Sequence, residues 1–259
     1  TAYRRQRQMC IRDREHELSI ILSNTDEDSE KEEEVIQTML AERVDGLLIT
    51  PVQTRKDTTA KLKESGVPFV LLGRYFNGLE TDYVVSDDVQ GGFLATEHLI
   101  RLGHKRIGMI NGPLYISSAK ERFQGYKKAL DHYGIKLDKS IVSTGALTTE
   151  DGYKVTKALL VHRTRPTSIF AYSDFVAFGV IRAVHEDGLR IPEDIAVVGY
   201  DDVGFSSCLE IPLTTVRIPK EKLGSKAMES LVSKMSSGRK FIGFHKIKLP
   251  VELIIRGTT

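Results

Sequence analysis

Apolar positions along this chain fall into two alternating rhythms. Short runs rich in β-branched and aromatic residues occupy 18–22, 44–49, 67–72, 83–85, 106–110, 168–172 and 195–200. Between them, at 30–42, 54–64, 91–102, 119–133, 150–161 and 175–186, apolar residues recur at helical spacing. Strands separated by helices of about 10–15 residues predict βαβ units and a parallel sheet. Near-continuous apolar strands such as "FVLL" and "IAVVGY" suit sheets covered on both faces. After Val216 a further helix opens at Pro219, and two strands, 244–249 and 251–255, end the chain.

That is too many strands for one small sheet. The expected class is α/β, with two doubly wound parallel-sheet lobes and a ligand between them at the carboxyl ends of strands. The boundaries run 1–87 with 219–240 for the amino-terminal lobe, and 88–218 with 241–259 for the other. Crossings between lobes are expected near 86–88, 217–219 and 238–243.

Charge changes the picture once. The net charge is +2, but residues 1–14 hold five arginines against one aspartate, which leaves −2 for the remainder. The folded body is therefore not a basic nucleic-acid surface. "RQRQMCIRDR" reads either as non-native sequence or as a solvated basic tail, and the first strand of the amino-terminal lobe is expected to be missing. Two cysteines are too few for a disulfide framework and point to a reducing cytosol. No apolar run is long enough to span a bilayer.

Catalytic, nucleotide and metal signatures are absent: no G-x-x-x-x-G-K-[ST], G-x-G-x-x-G, C-x-x-C or H-E-x-x-H occurs. No cofactor or metal is expected. What remains is a set of polar residues ending separate strands. Thr50 follows "GLLI", Arg74 follows "FVLLG", and Asp87 and Asp88 follow "YVVS". Ser173 and Asp174 follow "IFAY", and Asp201 and Asp202 follow "AVVGY". Each alone reads as a turn or cap residue, Asp174 as an N-cap in particular. Together they mark where ligands sit in α/β folds. Arg122 lies instead in a helical pattern, where pairing with a neighbouring acid is the plainer reading.

The motifs "FLATEHLIRLGHKRIGMINGP", "AKERFQGYKKAL", "SIFAYSDFVAFGVIRAVHEDG" and "RIPEDIAVVGYDD", followed by "PLTTVRIPKEKLGSKAMESL", resemble the effector-binding core of LacI/GalR-family transcription regulators. The resemblance covers about residues 15–256 in the family's order. It implies a periplasmic-binding-protein-like core in a cytoplasmic homodimeric repressor. A helix-turn-helix missing from this chain would bind operator DNA, and a sugar or similar metabolite would bind in the cleft. By resemblance Arg122 and Asp201 contact the ligand, Asp202 is structural, and Thr50 and Arg74 fall where specificity varies. Asp88 stands where many members have asparagine. Ser173 replaces an asparagine that often binds ligand, which shortens that contact. A carboxylate accepts from vicinal hydroxyls and an arginine fork donates to them, so the pair would grip a sugar. With no tryptophan, stacking would fall to Tyr75, Phe76 or Phe205. The alternative reading is the sugar-binding protein of a transport system.

Overall fold

The computed structural model describes residues 18–54, 57–161, 165–237 and 245–259. The non-native stretch expected at 1–14 and the crossing expected near 238–243 fall outside them. The chain divides into two compact units: the described parts of Thr1–Ser86 and Pro219–Leu249, and Asp87–Ile218 with Pro250–Thr259.

The first unit holds α1 (Ser29–Ala41), β1 (Leu47–Ile49), α2 (Asp57–Ser65), β2 (Phe69–Leu72), β3 (Tyr83–Ser86), α7 (Lys220–Ser237) and β9 (Lys246–Leu249). Its sheet runs β1-β2-β3-β9, parallel throughout. Asp28 starts α1 by accepting from the Glu30 and Lys31 amides at 2.8 and 3.2 Å. β2 is buried along its whole length, and Phe69 and Leu71 pack with Ile36, Leu62 and Phe76. Each such side chain contributes about 1.5–3 kcal/mol by leaving water.

Two expectations fail in this unit. Residues 18–22 form no strand, and Ile21 and Leu22 are exposed. The run is apolar enough, but no strand among the described residues offers it a ladder, and β1 stands at the sheet's edge. Residues 246–249 do not belong with the second unit. Val84 lies beside Ile247 and Ser86 beside Leu249 in parallel register, so the chain leaves the first unit at Leu249–Pro250. Lys246 and Lys248 alternate with Ile247 and Leu249, the pattern of an edge strand in either sheet.

The second unit holds α3 (Asp88–Arg101), β4 (Ile107–Asn111), α4 (Ser117–His132), β5 (Val142–Thr144), α5 (Thr149–Leu160), β6 (Ser168–Ala171), α6 (Asp174–Glu186), β7 (Ala196–Asp201), β8 (Thr214–Arg217) and β10 (Glu252–Ile254). Its sheet runs β10-β8-β7-β6-β4-β5, parallel except for the antiparallel β10–β8 pair. β4 and β6 are wholly buried, as continuous apolar strands between helical layers should be. β5, a short edge strand, escaped the periodicity because three residues show no alternation.

Glycines set the helix spacing here. A Cβ added at Gly92 of α3 would land on the Arg122 carbonyl of α4, and one at Gly125 of α4 would land on the Val89 carbonyl of α3. Gly152 and Gly179 play the same reciprocal part between α5 and α6. The α3–α4 pair is thus packed backbone to backbone, and this brings α4 against the first turn of α3.

Candidate functional site

Arg122 projects from the middle of α4 and is 5% exposed. Its Nε donates to Asp88 Oδ1 at 3.0 Å, and its Nη1 donates to the Tyr172 carbonyl at 2.6 Å. Its Nη2 stands 3.6 Å from Asp201 Oδ1. The guanidinium lies 3.6 Å from the centre of the Tyr200 ring and 4.7 Å from that of Tyr172. Burial opposes the charge, but Asp88 first and Asp201 next hold the pKa above the ordinary arginine value. The arginine is therefore permanently charged and fixed in orientation. Two of its five donors are spent in these hydrogen bonds, which leaves the Nη edge beside Asp201.

The neighbouring acids divide the labour. Asp87 caps α3 by accepting from the Gln90 amide at 3.0 Å, which frees Asp88 to turn into the interior toward Arg122. Asp88 is 2% exposed and faces the guanidinium. Asp201 is the open member of the group, its side chain 21% exposed.

The backbone at the end of β7 explains why two acids stand together. Asp201 and Asp202 have φ of 105° and 49°, in the left-handed region that non-glycine residues enter at a cost of about 1–3 kcal/mol. Neighbours hold this turn. Asp202 accepts from Arg217 Nε and Arg256 Nη2, both at 2.7 Å, and burial notwithstanding, these two arginines lower its pKa. Asp174 accepts from the Val203 amide at 2.7 Å, Ser206 Oγ at 2.7 Å and Thr215 Oγ1 at 2.6 Å. Its carboxyl is pushed up to about 6, by burial first and by the charge of Asp201 second. Strain at the turn aims Asp201 at Arg122, and its neighbours are fasteners.

Asp174 is therefore not the N-cap expected from the sequence. Ser173 is the cap of α6, accepting from the Val176 amide at 3.3 Å, because its shorter side chain folds back onto its own helix. That bond uses one of the hydroxyl's two acceptor lone pairs.

In the first unit, Thr50 is exposed just past β1. Arg74 follows β2 with both terminal nitrogens on Glu27, at 2.7 Å each, and one also on the Pro51 carbonyl at 3.3 Å. A ligand reaching Arg74 must share it with Glu27. The same strand ends are knit by Gln53 Nε2 to the Tyr75 carbonyl at 2.7 Å and by the Val52 amide to buried Glu32 at 2.6 Å. Of the expected stacking residues, Phe76 is spent in the core and Tyr75 stacks on Tyr83 at 4.5 Å, while Phe205 is 74% exposed. Phe76 is withdrawn as a platform because burial removes both its faces.

The structure thus gathers Asp88, Arg122 and Asp201, with Ser173 close by on the neighbouring strand end. It adds three residues that the sequence reading left out: Tyr172 and Tyr200, whose rings flank the guanidinium, and Ser118, whose Oγ lies 3.3 Å from Tyr172 Oη. Ser118 precedes Arg122 by one helical turn, a spacing that could have revealed it. No group of three or more metal-ligating side chains occurs among the described residues.

Residues 96–259 match the family described as "Periplasmic binding protein-like domain". The chain is 36% identical over 240 residues to the HTH-type transcriptional repressor PurR of Haemophilus influenzae (strain PittEE), covering 92% of this chain and 71% of that protein. It is 35% identical over 222 residues to the ribose operon repressor of Haemophilus influenzae (strain Rd), covering 86% and 67%. The solved LacI family transcriptional regulator from Enterococcus faecium, with bound ribose, superposes with a TM-score of 0.86 at 29% identity, over 99% of this chain and 93% of that one. This chain belongs to the LacI family of transcriptional regulators. Its α/β architecture is that of the family's effector-binding core, and the core of a transcriptional repressor that responds to a small molecule is its function. No helix among the described residues is long and apolar enough to cross a membrane.

Proposed function

We propose that the effector is a sugar or a similarly hydroxylated metabolite, held in the second unit by Arg122 and Asp201. The carrying observation is a buried arginine fork, fixed by Asp88, whose remaining edge faces a partly exposed carboxylate. A donor fork beside an acceptor pair is matched by vicinal hydroxyls, each of which donates and accepts. Ser118 and Ser173 would add hydroxyls, Thr50 and Arg74 of the first unit would tune specificity, and Asp88 would act by holding Arg122. Ribose in the Enterococcus faecium regulator supports a ligand of this class.

Binding without turnover is the reading, in a cytoplasmic homodimer that engages operator DNA through a helix-turn-helix. Exposed Phe175 and Phe205 support association with a second copy. They stand on segments tied together by Asp174, which bonds Val203 and Ser206. The transport alternative is not favoured, since the relatives are repressors.

Linkage tests this function. If effector changes operator affinity by a factor, operator must change effector affinity by the same factor, about 5–150-fold in ordinary allostery. Sugar titrations of the regulator with its DNA-binding segment, with and without operator, should show that shift. Identical affinities would reject control of DNA binding by this site.

A further inference from the structure

Tyr172 stands just past β6, its amide donated to the Ile110 carbonyl of β4 at 2.7 Å and its own carbonyl held by Arg122. The side chain does not stay over its own strand. A Cβ added at Gly112, just past β4, would lie 3.0–3.1 Å from the three carbons at the hydroxyl end of the ring. The hydroxyl reaches further, to Ser118 in the first turn of α4 at 3.3 Å. The ring therefore lies across the end of β4, with 7% of the residue exposed. Glycine at 112 admits it, since a side chain there would crowd the ring in a close-packed interior.

That placement takes up part of the crevice where open α/β sheets hold ligands, at the carboxyl ends of the strands. In the order β7-β6-β4, Asp201 ends β7, Ser173 follows β6, and the phenol closes the next place, above β4. Arg122 lies between the two sides. Its guanidinium is 4.7 Å from the centre of the Tyr172 ring, and its Nη2 is 3.6 Å from Asp201. Neighbouring strands stand about 4.8 Å apart, so the ends of β7 and β6 take one sugar ring. A second ring carried on across the sheet would fall on the phenol.

We infer that Tyr172 is a specificity-determining residue, which walls the effector site on the β4 side and limits the effector to the size of a monosaccharide. The inference rests on the effector reading above and adds a size class to it. Tyr172 acts by the volume that its ring fills.

Calorimetric titration of the purified chain with ribose, glucose, cellobiose and maltose tests it. In wild type the better monosaccharide is expected to bind about tenfold or more tightly than either disaccharide. Tyr172→Ala should shrink that ratio about tenfold, because the vacated space is open to a second ring. p-Cresol, which is the lost side chain itself, should settle in the cavity and restore the ratio, while leaving wild type unchanged. Removing a ring from a packed interior lowers stability, so Tyr172→Leu, which keeps apolar bulk but shortens the wall, serves if Tyr172→Ala does not fold. Tyr172→Phe keeps the ring and should keep the wild-type ratio. Disaccharides that bind wild type as tightly as monosaccharides overturn the inference, as does a ratio unmoved in Tyr172→Ala and Tyr172→Leu. A ratio that shrinks but does not recover with p-cresol means general loosening of the core, and overturns it too. In each of these outcomes, sugar binding that still weakens in Asp201→Asn leaves the effector reading standing. Binding of none of the four sugars to wild type removes both.

Discussion

Replacing Arg122 with alanine is expected to cost the second unit about 3–5 kcal/mol, because it strands Asp88 as a buried charge with its arginine gone. The loss is large against the 5–15 kcal/mol (roughly) by which a domain is stable. It would appear in urea unfolding as an earlier transition, with Asp201 and the rings of Tyr172 and Tyr200 also losing their partner. A paired replacement separates fold from function. Arg122→Met with Asp88→Leu removes both charges and should recover most of the stability, since well-packed apolar groups can stand in for a buried ion pair. It should recover no effector binding. A loss under about 1 kcal/mol for Arg122→Ala would mean that the pair is not buried as described.

Gly125→Ala is expected to act against the usual sign. On an open helix face the change would gain up to about 1 kcal/mol from better helix propensity. Here the new methyl meets the Val89 carbonyl and the Phe93 amide of α3, and backbone cannot turn aside as a side chain can. Forced overpacking of this kind costs about 1–3 kcal/mol. The α3–α4 pair would have to spread, moving Arg122 off Asp88, so effector affinity should fall along with stability. Urea unfolding beside wild type checks the first part. A stabilised Gly125→Ala protein would contradict the close approach of the two helices.

The pattern of strands and helices was legible because most strands of the second sheet are buried on both faces, and that writes long apolar runs into the sequence. Arg122 and Asp201 were legible from the family resemblance, and Asp201 also from its place at a strand end. Other features depend on partners that no local pattern names. Residues 18–22 have strand chemistry without a neighbouring ladder. Residues 246–249 alternate lysine with apolar residues, and that alternation suits an edge strand of either sheet, so their unit was misassigned. Ser173, expected as a ligand contact, took the cap expected of Asp174, and Asp174 braces the loop after β7, because capping and loop bracing ask for the same short polar side chains. Asp87 and Asp88 look alike in the sequence. Only the approach of α4, set by Gly92 and Gly125, decides which of them meets the arginine.

Asp201 and Arg122 are proposed to hold a hydroxylated effector in the second unit. Asp201→Asn tests it with little disturbance, because it keeps the side chain's shape and leaves the Arg122–Asp88 pair in place. Calorimetric titration of ribose and related aldoses into wild-type, Asp201→Asn and Arg74→Ala proteins is the direct measurement. Saturable binding of one of these sugars to wild type is expected. Affinity should fall more than about tenfold in Asp201→Asn, where a charged acceptor is lost, and much less in Arg74→Ala, where the arginine already serves Glu27. Sugar binding that is unchanged in Asp201→Asn would mean that Asp201 does not hold the effector.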